Sequence, residues 1–399
     1  MMNFRKILVS ALFLIFPFFA FAEFVTSDLF GYSVDIPEGF EILDMSEDQK
    51  LVQFSQKNFP ATILLCVYSN SEFSSAQTAL LGAFKKLGAT GEIKTVRWRR
   101  LACAASKFSM EDKNGIFGGQ SQRGWAAAFP LVQKKSILVA LSFVPQSFWK
   151  EGECVAKSTV DSVMLDVGSF KEPGILTSLE YPQKIRLPVN LKIADIDIET
   201  QVFAEDSAAS QAVIDREFNV FLIYAKNSLP ETTFAWQRFY RMIMRDSLGR
   251  LKKASFDISS ALQNLALEKD EKNPKAAIAA ILLEWVQNFK YSRASTNMNK
   301  ADFANIVSVL KNEGSDCDSR SLLVAVLLKN MGINSCFFVS AKHSHAILGV
   351  SLPDKQGFSF DVDGVPFLVG DTVAKGATLG KIDPKQIDRS TWVEVEFPF

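Results

Sequence analysis

The residue best suited to covalent chemistry in this sequence is Cys317, which follows a short polar loop. Ser315 and Asp316 precede it and are good helix N-caps, because a short side-chain oxygen can accept a hydrogen bond from a first-turn N–H group. The apolar run from Ser321 to Met331 predicts a helix that is buried nearly all round and ends at Gly332. The sequence therefore predicts a cysteine at the N-terminus of a central helix.

This position has two chemical consequences for Cys317. Free N–H groups and the helix dipole favour negative charge, so we expect a lowered thiol pKa. The same N–H groups could stabilise an oxyanion on a substrate carbonyl. The alternative is a buried structural cysteine that caps a helix, because free cysteines are among the most buried residues.

A thiol nucleophile needs a base within hydrogen-bond reach and a third group that orients the base. The chain has only two histidines, His343 and His345, so they are the candidates for the base. The flanking segments 333–339 and 345–352 are predicted strands by length and apolar content. The alternative is a surface His-Ser-His turn with no chemical task.

The order of these features resembles the transglutaminase-like group of papain-type thiol enzymes. The segment 281–291 is similar to the helix ending in Tyr that precedes the cysteine in that family, and the similarity spans about residues 276–381. The matching residues are Gly314, Cys317-Asp318, Met331-Gly332-Ile333, His345-Ala346 and Asp371-Thr372.

The resemblance implies a Cys-His-Asp triad, with Cys317 as nucleophile, His345 as general base and acid, and Asp371 as the group that orients the histidine. Where the family commonly has an aromatic residue after His-Ala, this sequence has Ile347. A simple hairpin from His345 would instead bring Asp361 near it, so Asp361 is the alternative third member.

In that family the cysteine attacks an amide or ester carbonyl. The resemblance therefore implies an acyl-transfer enzyme acting on peptide or glutamine-type amides, with hydrolysis favoured over cross-linking. The alternative is a catalytically inactive transglutaminase-like protein that binds or scaffolds in the cell envelope. We expect no cofactor and no metal, because the sequence has no phosphate-binding glycine loop and no cluster of metal-ligand residues.

The start of the chain has a basic residue pair, an apolar run from Ile7 to Phe19 and an Ala-Phe-Ala site, which predicts a signal peptide over residues 1–22. Cleavage after Ala22 would give a periplasmic or secreted protein without a membrane span. The chain has 44 basic and 44 acidic residues, so nucleic acid is not an expected partner. We expect a protein or peptide substrate, and the cell envelope is within reach of that compartment. The oligomeric state is not indicated.

The mature chain is predicted to be α+β. Residues 23–167 form an antiparallel sheet with covering helices, residues 168–188 form a linker, and residues 189–399 form the transglutaminase-like domain with a helical half and an antiparallel sheet. The segment Gly31–Pro37 resembles the opening of PsbP/Mog1-type domains, which are small binding or assembly domains. That resemblance includes no chemical motif.

Two further patterns leave alternatives open. On the predicted helix 234–245, Arg238, Arg241 and Arg245 share one side, and we expect a charged exposed face; the alternative is a carboxylate contact near the cleft. Five cysteines in an exported chain leave one unpaired in any complete disulfide pairing. Pairing within the set Cys66, Cys103, Cys154 and Cys336 would leave Cys317 free.

Overall fold

The computed structural model describes residues 24–112, 115, 119–227, 232–295, 300–352 and 354–395. The predicted signal peptide, residues 1–22, lies outside this part of the chain. The chain folds into a mixture of helices and antiparallel sheets, which confirms the predicted α+β class.

The N-terminal part is built mainly of strands. Its strands are β1 (Phe24–Ser27), β2 (Tyr32–Asp35), β3 (Phe40–Met45), β4 (Leu51–Gln56), β5 (Thr62–Ser69), β6 (Ala89–Thr90), β7 (Lys94–Trp98), β8 (Leu101–Met110), β9 (Gln122–Leu131), β10 (Ser136–Pro145) and β11 (Val163–Met164). Its helices are α1 (Ala76–Leu87) and α2 (Trp149–Asp161). The large sheet has the order β3-β4-β5-β10-β9-β8-β6, with β7 paired to β8, while β1, β2 and β11 form a separate small sheet.

The two helices cover opposite faces of the large sheet. Phe84 of α1 packs in one core with Val139 of β10, while Val160 of α2 packs in another with Leu138. Because both faces are covered, β10 is a continuous apolar run and does not alternate between apolar and polar residues.

The segment 168–188, predicted as a linker, overlaps the short helices α3 (Val167–Phe170) and α4 (Ile175–Glu180). The side chains of Phe170, Ile175 and Leu176 are buried. The carboxylate of Asp161 accepts hydrogen bonds from the N–H groups of Leu176 and Thr177, which are first-turn donors of α4. This segment is therefore packed against the end of α2.

The C-terminal part begins with a hairpin and continues with helices and a second sheet. The hairpin is β12 (Arg186–Ile193) and β13 (Ile196–Phe203), and the helices are α5 (Asp206–Asn227), α6 (Thr232–Arg250), α7 (Lys252–Lys269), α8 (Pro274–Gln287), α9 (Ile306–Leu310) and α10 (Cys317–Asn330). The remaining strands are β14 (Ser335–Ser340), β15 (His345–Val350), β16 (Ser359–Val362), β17 (Val365–Gly370) and β18 (Val393–Val395). The second sheet has the order β16-β17-β15-β14-β18.

Helix α10 is the centre of the C-terminal core. All residues from Ser319 to Leu328 are buried, which agrees with the predicted helix that is apolar nearly all round. Leu282 and Val286 of α8 lie in the same core, together with Phe337 of β14 and Leu348 of β15. The helix is thus enclosed by helices and by one face of the sheet.

The predicted exposed arginine face of α6 is wrong. Arg238, Arg241 and Arg245 are all buried, because this side of α6 packs against the N-terminal part. Arg241 donates to both carboxylate oxygens of Asp35 in β2, at 2.6 Å and 2.9 Å. The alternative of a carboxylate contact is therefore correct in kind, but the carboxylate is on β2 and does not line the cleft.

Other buried charged residues join the Arg241–Asp35 pair to form a network. Arg238 donates to the backbone oxygen of Asp35 at 2.7 Å and to the carboxylate of Glu217 in α5 at 3.1 Å. Arg216 joins Glu217 to Asp161, at 2.7 Å and 2.6 Å. Buried charges require such pairing because burial removes their hydration. The network joins α2, α5, α6 and β2.

Candidate active site

The nucleophile candidate stands where the sequence predicts it, at the first residue of α10. The side chain of Asp316 accepts a hydrogen bond from the N–H of Ser319 at 3.1 Å, and the Ser319 hydroxyl accepts one from the N–H of Asp316 at 3.1 Å. This capping box fixes the start of the helix. Cys317 and Asp318 are its first two residues, whose N–H groups have no acceptor within a helix.

Arg320 holds the loop before the cysteine. Its guanidinium donates to the hydroxyl of Ser315 at 2.9 Å and to the backbone oxygen of Phe289 at 2.8 Å. It also lies over the ring of Tyr291, 5.6 Å from the centroid. Nothing in the local sequence predicts these hydrogen bonds of Arg320, because one acceptor, the backbone oxygen of Phe289, is 31 residues away.

His345 and Asp371 are brought together by the sheet. His345 begins β15, Asp371 follows the end of β17, and the two strands pair antiparallel with Leu348 opposite Gly370. The ring nitrogen Nε2 of His345 lies 3.0 Å from Asp371 Oδ2. The other carboxylate oxygen accepts hydrogen bonds from the N–H groups of Val373 and Ala374.

These contacts keep Asp371 ionised. Burial alone would raise its pKa, but the hydrogen bond and charge of His345, with the two backbone N–H groups, hold the pKa below its usual value. An ionised carboxylate can only accept, so Nε2 of His345 carries the proton of their hydrogen bond. Nδ1 is then the ring nitrogen left for the thiol.

The alternative acid, Asp361, does not lie beside His345. β15 pairs with β17 and not with β16, so Asp361 is one strand further away. Its side chain is exposed and accepts a hydrogen bond from the N–H of Gly364 at 3.0 Å. It therefore belongs to the Asp363-Gly364 turn, where both residues have positive φ as a tight hairpin requires.

The second histidine has a different neighbourhood. Nε2 of His343 lies 2.9 Å from the hydroxyl oxygen of Thr391, and its ring is 5.4 Å from that of Trp392. Trp392 also lies 6.2 Å from the ring of His345. An aromatic side chain is therefore present at His345, supplied from the segment before β18, while Ile347 is buried beneath it in the same core.

A hydrogen-bonded contact ties the cysteine helix to the acid. The hydroxyl groups of Ser321 in α10 and Thr372, which follows Asp371, lie 2.9 Å apart and are fully buried. Gln287 at the end of α8 donates to the backbone oxygen of Asp371 at 2.8 Å. Cys317, His345 and Asp371 are thus held by elements that share direct contacts.

The thiol of Cys317 donates to Asp318 Oδ1 at 3.2 Å, and the hydroxyl of Tyr240 in α6 donates to Asp318 Oδ2 at 2.6 Å. Burial is the largest cause of a pKa of the Cys317 thiol that lies well above its ordinary value. The charge of Asp318 and the hydrogen bond from the thiol to Asp318 raise this pKa further. The expectation of a lowered thiol pKa is therefore wrong. Its physical reason is that the thiol is buried and that, in addition, the carboxylates of Asp318 and Asp316 lie next to it at the helix start.

The carboxylates around the thiol also affect one another. Burial and the nearby charge of Asp318 raise the pKa of Asp316 to about 6. Burial likewise raises the pKa of Asp318, although hydrogen bonds from Tyr240 and Cys317 oppose the change. A group with a strongly perturbed pKa in a cleft is typical of a functional site.

Cys317 and His345 line one cavity of about 380 Å³. Its walls come from α5, α6, the start of α10 and the β14–β15 turn. The other lining residues are Phe218, Phe221, Trp236, Phe239, Tyr240, Tyr291, Arg293, Asp302, Phe303, Asp316, Asp318, Val339, Ser340, Ala341 and Ser344. A cavity beside a thiol and a histidine gives space for a substrate group.

No disulfide bond joins any of the five cysteines, all of which lie in the described residues. Across the same ranges, no group of three or more His, Cys, Asp or Glu side chains could hold a metal ion. No helix between residues 24 and 395, outside the gaps stated above, combines the length and apolar character needed to cross a bilayer.

The fold and cavity define an α+β protein in which a thiol, a histidine and a carboxylate converge. No protein-family model and no curated protein matches the chain. It is similar to the solution structure of cyanobacterial PsbP (CyanoP) from Synechocystis sp. PCC 6803, with 9% identity and a TM-score of 0.29, over 40% of this chain and 99% of that chain. It is also similar to the Ran-binding protein Mog1p of Saccharomyces cerevisiae, with 14% identity and a TM-score of 0.26, over 35% and 92% of the two chains.

These two proteins are of the kinds that the N-terminal domain was expected to resemble. No comparison bears on the transglutaminase-like resemblance of the C-terminal domain, which stays a prediction. Sequence reasoning missed Tyr240, Arg320 and Trp392 at the site. Asp316 and Asp318, which flank Cys317 in sequence, were the available signal for carboxylates near the sulfur.

Proposed function

We propose that this protein is an exported, transglutaminase-like cysteine acyl-transfer enzyme with a papain-like C-terminal domain, and that it hydrolyses peptide or glutamine-type amides. The observation that carries the proposal is that Cys317, at the start of a buried helix, lines the same cavity as His345, whose Nε2 lies 3.0 Å from Asp371. Nucleophile, base and orienting acid are the three groups that thiol catalysis needs.

In the first step the sulfur of Cys317 attacks the amide carbonyl. Because the raised thiol pKa keeps the sulfur protonated at rest, His345 takes the proton through Nδ1 as the sulfur–carbon bond forms. The negative charge moves to the carbonyl oxygen, which the first N–H groups of α10 can stabilise. Asp371 stabilises the resulting imidazolium.

In the second step the tetrahedral intermediate collapses. The imidazolium of His345 gives its proton to the leaving amine as the carbon–nitrogen bond breaks, and a thioester remains on Cys317. A water molecule then attacks the thioester while His345 takes its proton. The carbon–sulfur bond breaks, the acyl group leaves as a carboxylic acid, and His345 returns the proton to the sulfur of Cys317. We propose hydrolysis rather than cross-linking, because cross-linking needs a second channel for the amine acceptor and the described residues around the thiol line one cavity.

The test is iodoacetamide labelling of Cys317, followed by peptide mass spectrometry because Cys66 and Cys154 are also partly accessible. His345→Ala is expected to lower the labelling rate at neutral pH on the order of 100-fold. His343→Ala is the matched control, since it removes the chain's other histidine, and it should leave the rate within about twofold of wild type. Equal rates in wild type and His345→Ala would overturn the proposal.

The second candidate is a catalytically inactive binding or scaffolding protein. It is favoured by the thiol's hydrogen bond to Asp318 and its raised pKa, which together suppress the thiolate. A glutamine-mimicking electrophile separates the two functions. Covalent capture that is lost in Cys317→Ala and weakened in His345→Ala supports the enzyme, whereas no capture by the folded protein supports the scaffold.

A further inference from the structure

One wall of the Cys317 cavity is aromatic. Phe218 and Phe221 come from α5, Trp236 and Phe239 come from α6, and Phe303 precedes α9. The rings touch one another: Phe218 lies 6.3 Å from Phe221 and 6.2 Å from Phe239, and Phe239 lies 6.4 Å from Phe303. They therefore form a continuous surface beside the thiol.

The rings in this wall differ in burial. Phe239 and Phe303 are buried, while Phe218, Phe221 and Trp236 are each partly exposed. The exposed parts face the cavity that they line. Apolar surface in contact with water is unfavourable by about 25 cal/mol per Å², so an apolar group that covers these rings gains binding energy.

The other side of the cavity is acidic. Asp302, Asp316 and Asp318 line it, and Arg293, the arginine among the lining residues, is exposed and paired with Asp302. A negatively charged ligand would bring its charge towards Asp316 and Asp318, carboxylates whose pKa values are already raised by burial and, to a smaller extent, by a neighbouring carboxylate. The cavity therefore disfavours anions.

We infer that the aromatic wall is a binding site for a large apolar side chain, preferably aromatic, next to the amide that Cys317 attacks, on a substrate without nearby negative charge. The part of this inference that places an amide at Cys317 rests on the proposed function. The part that places an apolar side chain against the aromatic wall does not. A volume of about 380 Å³ is sufficient for one such side chain beside the reacting group.

The test compares three thiol-reactive probes on the full chain. These are 2-chloroacetamide, N-(2-phenylethyl)-2-chloroacetamide, and the same phenylethyl probe with a para-carboxylate. For each probe, the rate of Cys317 labelling is divided by the rate at which the same probe reacts with a small free thiol. This normalised rate should be higher for the phenylethyl probe than for 2-chloroacetamide, by on the order of tenfold. The labelling rate with the phenylethyl probe should saturate as the probe concentration rises. The para-carboxylate probe should lose most of the advantage of the phenylethyl probe over 2-chloroacetamide.

Variants then assign the gain to the wall. Phe218→Ala should reduce the advantage of the phenylethyl probe to about twofold or less, and Phe218→Tyr should retain it. Phe256→Ala is the matched control, because Phe256 is 69% exposed on α7 and does not line the cavity. Thermal unfolding of each variant shows that it is folded.

The outcomes separate this inference from the proposed function. An advantage that persists while His345→Ala leaves both rates unchanged supports the aromatic site and overturns the enzyme. Equal normalised rates for the two uncharged probes in wild type, with His345→Ala slowing both, overturn the aromatic site and support the enzyme. Equal loss in Phe218→Ala and Phe256→Ala also overturns the aromatic site.

Discussion

Helix α6 contacts the carboxylates of Asp35 and Asp318, and these two contacts differ in how the negative charge is matched. Towards the N-terminal part, Arg241 donates to both oxygens of Asp35. Towards the cavity, Tyr240 donates to one oxygen of Asp318, and the thiol of Cys317 donates to the other. The first carboxylate meets a cation, while the second meets only neutral donors.

The pKa values record this difference. Burial would raise the pKa of Asp35, but the charge and hydrogen bonds of Arg241, with Arg238 and Arg245, hold it below its usual value. Burial raises the pKa of Asp318, and its neutral donors do not reverse the change. Both carboxylates are buried, so the opposite directions of their pKa shifts follow from the hydrogen-bonded cation that, among the described residues, Asp35 has and Asp318 lacks.

The largest expected effect on stability comes from removing Arg241, the cation that pairs with Asp35. Arg241→Ala leaves the buried carboxylate of Asp35 without its bidentate partner, so the free energy of unfolding should fall by about 3–5 kcal/mol. Urea unfolding measures the change. Lys57→Ala, in an exposed pair with Glu41, is the control and should change stability little. A loss no larger than the control's would mean that the bidentate pair does not hold this interface.

Glu38 sharpens the comparison, because it is a second carboxyl near the same arginines but its side-chain oxygens have no hydrogen-bond partner among the residues described. Burial raises its pKa to about 7, although Arg238 and Arg241 oppose this. A raised pKa means that folding favours the protonated carboxyl. Its contribution to stability is complete below the usual pKa of 4.5 and is lost as pH rises through about 7.

The change in stability between pH 4.5 and pH 8 from this carboxyl should be on the order of 3 kcal/mol. Glu38→Gln should remove that part of the pH dependence, which urea unfolding at several pH values measures. Glu41→Gln, an exposed residue in β3, serves as control. A Glu38→Gln curve parallel to wild type would show that the carboxyl does not titrate in this range.

The smallest expected effect concerns Asp318, the carboxylate that has no cation as a hydrogen-bond donor in the part of the chain that the structure describes. Asp318→Asn removes the negative charge that raises the pKa of the Cys317 thiol, so the thiol should ionise at lower pH. The rate of iodoacetamide labelling at pH 7 should rise about tenfold, which corresponds to one pKa unit. Asp363→Asn, at the exposed hairpin turn, is the control. A slower or unchanged rate would mean that Asp318 helps the thiol to ionise or does not influence it.

Local features of the fold were predictable because their causes lie within a few residues. Ser75 caps α1 and Gly88 ends it with a φ of 67°, and both residues are adjacent to the helix in sequence. The Asp363-Gly364 turn joins β16 to β17. Cys317 begins α10 for the same reason, because its cap is adjacent in sequence.

Long-range features were not predictable from local patterns. Arginines on one side of a helix indicate an exposed face unless a distant carboxylate covers them, and Asp35 is 206 residues from Arg241. Trp392, which directly precedes β18, lies beside His345 although the two residues are far apart in sequence. Tyr240 reaches Asp318 over 78 residues, so its effect on the cysteine depended on packing that the sequence does not display.

The way α10 begins has a consequence for motion. The first turn of a helix is usually the part that frays, since its N–H groups lack internal partners. Here a capping box and the side chain of Arg320 fasten that turn, and the next ten residues are enclosed in the core. Opening of the segment that bears Cys317 therefore requires disruption of the C-terminal core, so the amide hydrogens of the buried stretch Ser319 to Leu328 should exchange with solvent among the slowest in the chain.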